Sequence, residues 1–185
     1  MRRLSLISAS CLAIAALAAS PMVDGGSTAL AQGAASAKSG TGLPLPRFVS
    51  LKASRVNLRI GPGRAYAVAW LYTKPGVPME VIQEYDNWRR VRDAEGTEGW
   101  VYQSLLSGRR TGIAAPWKAE DGQENFINMH REARPNANIV ARLEPGVVLE
   151  VNACDGSWCE ASADGVDGYI AQNEIWGAYP GEAFK

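Results

Sequence analysis

Residues 56–106 run VNLRIGPGRAYAVAWLYTKPGVPMEVIQEYDNWRRVRDAEGTEGWVYQSLL, and residues 127–175 run INMHREARPNANIVARLEPGVVLEVNACDGSWCEASADGVDGYIAQNEI. The second stretch repeats the first. Pro75-Gly76 matches Pro145-Gly146, Met79-Glu80-Val81 matches Leu149-Glu150-Val151, and Trp88 matches Trp158. Gly96-x-x-Gly99-Trp100-Val101 matches Gly165-x-x-Gly168-Tyr169-Ile170. The offset is 71 at Asn57/Asn128, 70 through the middle and 69 at Gln103/Gln172. Two one-residue indels explain the drift, and indels belong in loops. Within each copy, short β runs alternate with Gly, Pro, Asn and Asp, the pattern of an all-β sandwich or small barrel. A unit of roughly 60 residues is marginal alone, and two packed together are easier to stabilise.

Outward from the repeat, the 185-residue chain has room for one ordinary domain or two small ones. Residues 32–46, QGAASAKSGTGLPLP, contain no aromatic and read as a flexible linker that cannot bury enough apolar surface to fold. All fifteen aromatics fall from Phe48 to Phe184. The expected domains are therefore 47–112 and 124–182, with an inter-domain linker at 113–123.

Met1-Arg2-Arg3 precedes LSLISASCLAIAALAA, a basic start and a short apolar core that describe a cleaved secretory signal peptide over residues 1–31. Ala29-Leu30-Ala31 is the favoured cleavage site, with an earlier one near Ala16 to Ala19. Cys11 as a lipid-attachment residue and Arg2-Arg3 as a twin-arginine signal are the competing readings. No later segment approaches the roughly 20 apolar residues of a membrane span. The mature protein is thus expected in the periplasm or secreted. It keeps Cys154 and Cys159, and an oxidising compartment favours a disulfide between them. The alternative, a metal half-site, lacks a second pair of ligands.

Asn57-Leu58-Arg59, Gly61-Pro62, Pro75-Gly76, Trp88 and Gly99-Trp100-Val101 resemble the bacterial SH3-like (SH3b) domain. SLKASRVNLRIGPG, WRRVRDAEGTEGWVYQSLLSGRR and the ending WGAYPGE resemble, more narrowly, exported Gram-negative proteins with two SH3-like domains in tandem. The likeness covers about residues 47–182. It is weaker in the second copy, where Glu132-Ala133-Arg134-Pro135 replaces the Gly-Pro loop. It implies half-open barrels of five or six strands, a short 3₁₀ turn near Gln103 to Leu105, and no enzymatic activity.

The residues themselves point away from catalysis. A nucleophile needs a base within hydrogen-bond reach. His130 is the only histidine and reads as an ordinary strand residue in line with Arg59, and the mature cysteines are expected to bond each other. No metal or other cofactor is expected. Gly61-Pro62-Gly63 lacks the parts of a phosphate loop and reads as a turn in which glycine permits positive φ. Binding is the better reading. Alternation along the strand at Trp88 puts Trp88, Arg90 and Arg92 on one face and Arg89 and Val91 on the other. With Val91 inward, Trp88, Arg90 and Arg92 point outward as an amphipathic contact surface. Tyr66, Tyr85 and Trp158 complete the candidate set. The competing reading packs Trp88 on the neighbouring barrel or on Tyr66 and Tyr85. Pairing of Cys154 with Cys159 would place Val151 and Ala161 on opposite faces unless a bulge intervenes. Trp100 and Tyr169 read as core or edge packing. Pro44-Leu45-Pro46-Arg47 reads as an extended lead-in, or else as a proline-rich ligand for an SH3 groove.

The 19 basic and 19 acidic residues sum to zero, which argues against a nucleic-acid partner. The sum conceals an asymmetry. Residues 47–112 hold 11 basic and 6 acidic residues, whereas 113–185 hold 5 and 12. The expected function is non-catalytic recognition of peptidoglycan peptide or glycan at the cell envelope. The alternative is a periplasmic protein–protein adaptor without a cell-wall ligand.

Overall fold

Turn residues divide the chain into short strands in the computed structural model, which describes residues 37–38, 40–121 and 125–185. β1 (Ala37–Lys38) pairs with β2 (Pro44–Leu45) ahead of the first barrel. That barrel comprises β3 (Arg47–Leu51), β4 (Val56–Arg59), β5 (Val68–Tyr72), β6 (Pro78–Tyr85), β7 (Trp88–Arg92), β8 (Glu98–Tyr102) and β9 (Leu106–Ser107). Its strands are hydrogen-bonded in the order β5-β4-β8-β7-β6-β3-β9, and a 3₁₀ turn over Gln103–Leu105 stands where it was expected. The second barrel comprises β10 (Thr111–Ala114), β11 (Ile127–His130), β12 (Ile139–Leu143), β13 (Val148–Asp155), β14 (Trp158–Ala163), β15 (Val166–Ala171) and β16 (Ile175–Trp176). The order β12-β11-β15-β14-β13-β10-β16 reproduces the first strand for strand, and β17 (Ala183–Phe184) is added beside β13. The fold is all-β, two barrels in tandem.

Alternation builds both cores. Val56 and Leu58 on β4, Met79 and Val81 on β6, Val91 on β7 and Val101 on β8 are fully buried in the first. Ile127, Met129, Leu149, Val151, Ala161 and Ile170 fill the second. A β-bulge between Val151 and Ala153 lets Val151 and Ala161 share the inner face although Cys154 also pairs with Cys159. The first barrel carries the same bulge between Val81 and Gln83. Beyond it, Glu84 stands opposite Arg89 in the register that Cys154 and Cys159 occupy in the second barrel. The first hairpin is thus closed by a buried ion pair, Arg89 Nε to Glu84 Oε1 at 3.2 Å, and the second by the expected disulfide.

The domain limits differ from those expected. Residues 40–46 do not float: Leu45 packs on the first core, and Thr41 donates its amide and hydroxyl to the Glu84 carboxylate. Pro44 to Arg47 is an extended lead-in, with Arg47 also on Glu84 at 2.7 Å. The limit at 112/113 cuts through β10, which pairs with β13 and β16 and so opens the second barrel. Thr111 and Gly112 look like a break, yet a Cβ on Gly112 would lie 2.4 Å from Ile175 Cγ2, so the glycine serves close packing. The second barrel also runs past 182, since Ala183 and Phe184 pair with Asp155 and Cys154. The expected signal peptide at 1–31, with Cys11 and the expected cleavage sites, and residues 32–36 and 39 of the expected linker lie outside the described residues. Among the described residues no helix is long and apolar enough to cross a membrane.

The barrels meet along a seam within one compact unit. Phe48 of β3 lies edge-on to Trp176 at 5.0 Å and against Tyr179 at 4.7 Å between ring centroids. Arg110 forms a two-pronged bond to Glu182 at 2.8 and 2.9 Å, with its guanidinium 4.1 Å from the Phe184 ring. Tyr179 Oη donates to Glu80 Oε1 across the seam at 3.0 Å.

Candidate functional site

The first barrel carries a cleft of about 420 Å³ where β4, the 60–66 loop, β7, β8 and the 3₁₀ turn converge. Trp88 and Tyr102, directly opposed on β7 and β8, form its aromatic floor with rings edge-on at 5.4 Å. Arg55, Arg59 and Arg64 surround it, with Asn57 and Ser104 as neutral polar groups. Arg59 Nη1 donates to the Tyr66 carbonyl at 2.7 Å and ties the loop to β4. The Arg64 guanidinium lies 6.0 Å from the Tyr102 centroid, the outer limit of a cation–π contact. No described carboxylate forms an ion pair with any of the three. Three guanidiniums without a described counter-charge around an aromatic floor suit an anion with a flat or apolar body.

The loop works differently from the expectation. Neither Gly61 nor Gly63 has positive φ. Their bare Cα atoms admit the Tyr66 ring, which a Cβ on Gly61 would meet at 2.5 Å. Tyr66 therefore shapes the cleft from outside.

Trp88, Arg90 and Arg92 do share a face, opposite Val91 and Arg89. Exposure along that face is uneven. Trp88 is only 9% exposed, because Tyr102 covers its edge. Arg90 is bound to Glu98 at 2.7 Å, and Arg92 to Glu80 at 3.1 Å and Glu98 at 3.6 Å. Of the outward trio, only Trp88 lines the cleft; the two arginines are committed to carboxylates. Tyr85 is exposed and edge-on to half-buried Trp100 at 6.5 Å. Trp100 and its counterpart Tyr169 sit partly exposed opposite Arg59 and His130 rather than in a core.

The second barrel does not repeat the site. Trp158 is edge-on to His130 at 5.5 Å, and His130 Nδ1 is hydrogen-bonded to the Ala137 carbonyl at 3.0 Å. Trp158 stands opposite Ala171 where Trp88 stands opposite Tyr102, so half of the aromatic floor is missing. Phe126 and His130 replace Arg55 and Arg59 at the matching places. The sequence reading missed Arg55, Arg59, Arg64 and Tyr102 as a group, because loop closure and β4–β8 pairing assemble them. The basic excess of residues 47–112 was their only trace.

The bacterial SH3 domain family matches the chain twice, over residues 52–108 and 123–177. No curated protein matches the sequence. Among solved structures, NlpC2 from Trichomonas vaginalis is similar at 10% identity and a TM-score of 0.32, over 71% of this chain and 48% of that one. NlpC1 from the same organism is similar at 12% identity and a TM-score of 0.31, over 70% of this chain and 45% of that one. The chain spans about half the length of these two proteins. The two family matches cover more than half the sequence and fall one on each barrel, so the chain belongs to the bacterial SH3 domain family.

Proposed function

We propose that this protein is a non-catalytic binding protein of the bacterial cell envelope, in the periplasm or secreted, and that its first-barrel cleft takes the carboxylate-bearing peptide of peptidoglycan. The observation that carries this reading is the set of Arg55, Arg59 and Arg64, free of described carboxylates, around Trp88 and Tyr102. Carboxylates accept two parallel bonds from guanidinium, and the aromatic floor offers apolar area to a peptide backbone or sugar ring. Family membership supports the envelope setting, and the cleft supplies the chemistry. Binding without catalysis is supported by the state of the reactive groups. His130 is buried between Ala137 and Trp158, and Cys154 and Cys159 are bonded to each other.

The test is co-sedimentation of purified protein with peptidoglycan sacculi. Binding is expected at low salt and is expected to weaken as salt screens the arginines. Arg55→Ala with Arg64→Ala, neither of which holds a described hydrogen bond, should weaken binding by about tenfold or more. Arg90→Ala, outside the cleft, should stay within about twofold of the parent. Absence of binding at low salt, or full binding by the double variant, overturns the proposal.

A further inference from the structure

The loop from Ile60 to Tyr66 is held by the same backbone hydrogen bonds as its counterpart in the second barrel. Ile60 donates its amide to the Ala67 carbonyl, Gly63 to Gly61 and Tyr66 to Gly63. Arg131 donates to Asn138, Arg134 to Glu132 and Ala137 to Arg134, the same three bonds in the register that aligns Asn57 with Asn128. The latch is repeated as well. Arg59 Nη1 donates to the Tyr66 carbonyl, and His130 Nδ1 is bonded to the Ala137 carbonyl. Glutamate and arginine therefore serve this loop where the first barrel has Gly61 and Gly63, and alanine serves it where the first barrel has Tyr66. Neither the glycines nor the tyrosine are needed to shape it.

What the glycines do is seat the ring. A Cβ on Gly61 would stand 2.5, 2.6 and 2.7 Å from Tyr66 Cδ1, Cε1 and Cγ, near-equal distances that put this glycine beneath one face of the ring. A Cβ on Gly63 would stand 3.2 and 3.3 Å from Cδ2 and Cε2, at the opposite edge. The ring thus rests on bare backbone. It remains 48% exposed, and among the described residues no aromatic ring or guanidinium stacks on it. Residues 65–73 around it carry no charged side chain.

We propose that the Tyr66 ring is a stacking platform for a sugar ring, a subsite beside the arginine cleft and reached by the same ligand. A pyranose presents C–H groups on one face, and these suit the electron-rich face of an aromatic ring. The glycine seat fixes the ring before a ligand arrives, so little side-chain freedom is lost on binding. Uncharged surroundings suit a neutral sugar, as arginines without a described carboxylate suit an anion. The choice of a sugar rests on the proposed function. Arg64 lines the cleft, Tyr66 lies two residues further along the same loop, and peptidoglycan carries its acidic peptides on a glycan strand. One ligand can therefore place a carboxylate in the cleft and a sugar on the ring.

The experiment is titration of the purified protein with chitotetraose, a neutral oligomer of N-acetylglucosamine, followed by the NMR shifts of the Gly61, Gly63 and Tyr66 amides. Saturable shifts with a Kd of about 1 mM are expected. Tyr66→Phe should bind within about twofold of the parent. Tyr66→Ala should weaken binding by about fivefold or more with no change in melting temperature, because Ala137 sustains the same loop bonds in the second barrel. Gly61→Ala, whose Cβ displaces the ring, should weaken it similarly. Absence of shifts up to about 20 mM overturns the proposal, as does full binding by Tyr66→Ala. Chitotetraose has no carboxylate, so the outcome is independent of the arginine cleft. A protein that binds sacculi but not chitotetraose loses the platform and keeps the cleft. One that binds chitotetraose through Tyr66 but not sacculi keeps the platform and loses the cleft.

Discussion

Gly99 governs how closely β4 crosses β8. A Cβ there would stand 2.5 Å from Leu58 Cγ and 2.9 Å from the Arg59 carbonyl oxygen, and a backbone atom has little freedom to retreat. Gly168 repeats the geometry at 2.5 Å from Met129 Cγ and 2.8 Å from the His130 carbonyl. Gly96 and Gly165, three residues earlier, hold φ of 85° and 80° in the turns, where glycine alone is unstrained. The repeated Gly-x-x-Gly is therefore a turn glycine followed by a crossing glycine. Gly99→Ala should destabilise the first barrel by about 2 kcal/mol through overpacking, measured by urea unfolding with tryptophan fluorescence. Stability within a few tenths of the parent would contradict that role.

At the scale of elements, the β6–β7 and β13–β14 hairpins solve one problem in two ways. Each has a bulge, and each closes the next cross-strand position with a strong link. Glu84 and Arg89 form that link as an ion pair with side chains 5% exposed, while Cys154 and Cys159 form it covalently. Breaking one partner of a buried pair leaves an uncompensated charge, which is why Glu84 also gathers Arg47 and Thr41. Reduction of the disulfide should cost the second barrel about 2 kcal/mol, the chain-entropy value for so short a loop. Thermal unfolding with and without reductant checks this, with the first barrel expected to be indifferent. The bulge also shows where reading by alternation stops: period-two logic put Val151 and Ala161 on opposite faces, and one extra residue restored them to the same core.

For the whole molecule, the opposite charge of the two halves is realised at particular contacts. Arg109 meets Glu150 at 3.0 Å and Arg110 grips Glu182, so basic residues at the end of the 47–112 stretch are held by acidic residues of the 113–185 stretch. Burial pushes the Glu182 carboxyl up, but Arg110's hydrogen bonds and charge and the Tyr179 amide outweigh it and hold it below its usual 4.5. A carboxylate with a depressed folded pKa stabilises above its unfolded value and loses that contribution as pH falls through the folded one. Asp155, held low by the Trp158 and Ser157 amides, acts in the same direction. Tyr179 is opposite in sense: burial, then the charge of Glu80, pushes its phenol above 10. Its contribution is present below 10 and lost as pH rises through the folded value. Melting temperature should therefore fall as pH drops below about 4.5, and Glu182→Gln should flatten that acid limb. An unchanged limb in the variant would remove Glu182 from the seam's energetics.

Local rules were legible in the chain. Strand alternation placed Val91 inward with Arg89, the turn residues delimited the strands, the repeat announced two like barrels, and Cys154 and Cys159 announced their bond. Each depends on residues a few positions apart, which sequence displays directly. What the chain could not display depends on partners far along it. β10 belongs to the second barrel because β13 and β16 close over it, not because Thr111–Ala114 resembles β3. Arg90 and Arg92 lost the role of free cations to Glu98 and Glu80, while Arg55, Arg59 and Arg64 gained it because no described carboxylate was brought within ion-pair reach. The sequence by itself determined the strands, their repeat and the family. Tertiary structure decided which arginines stay without a described carboxylate partner, because pairing and burial are properties of neighbours in space.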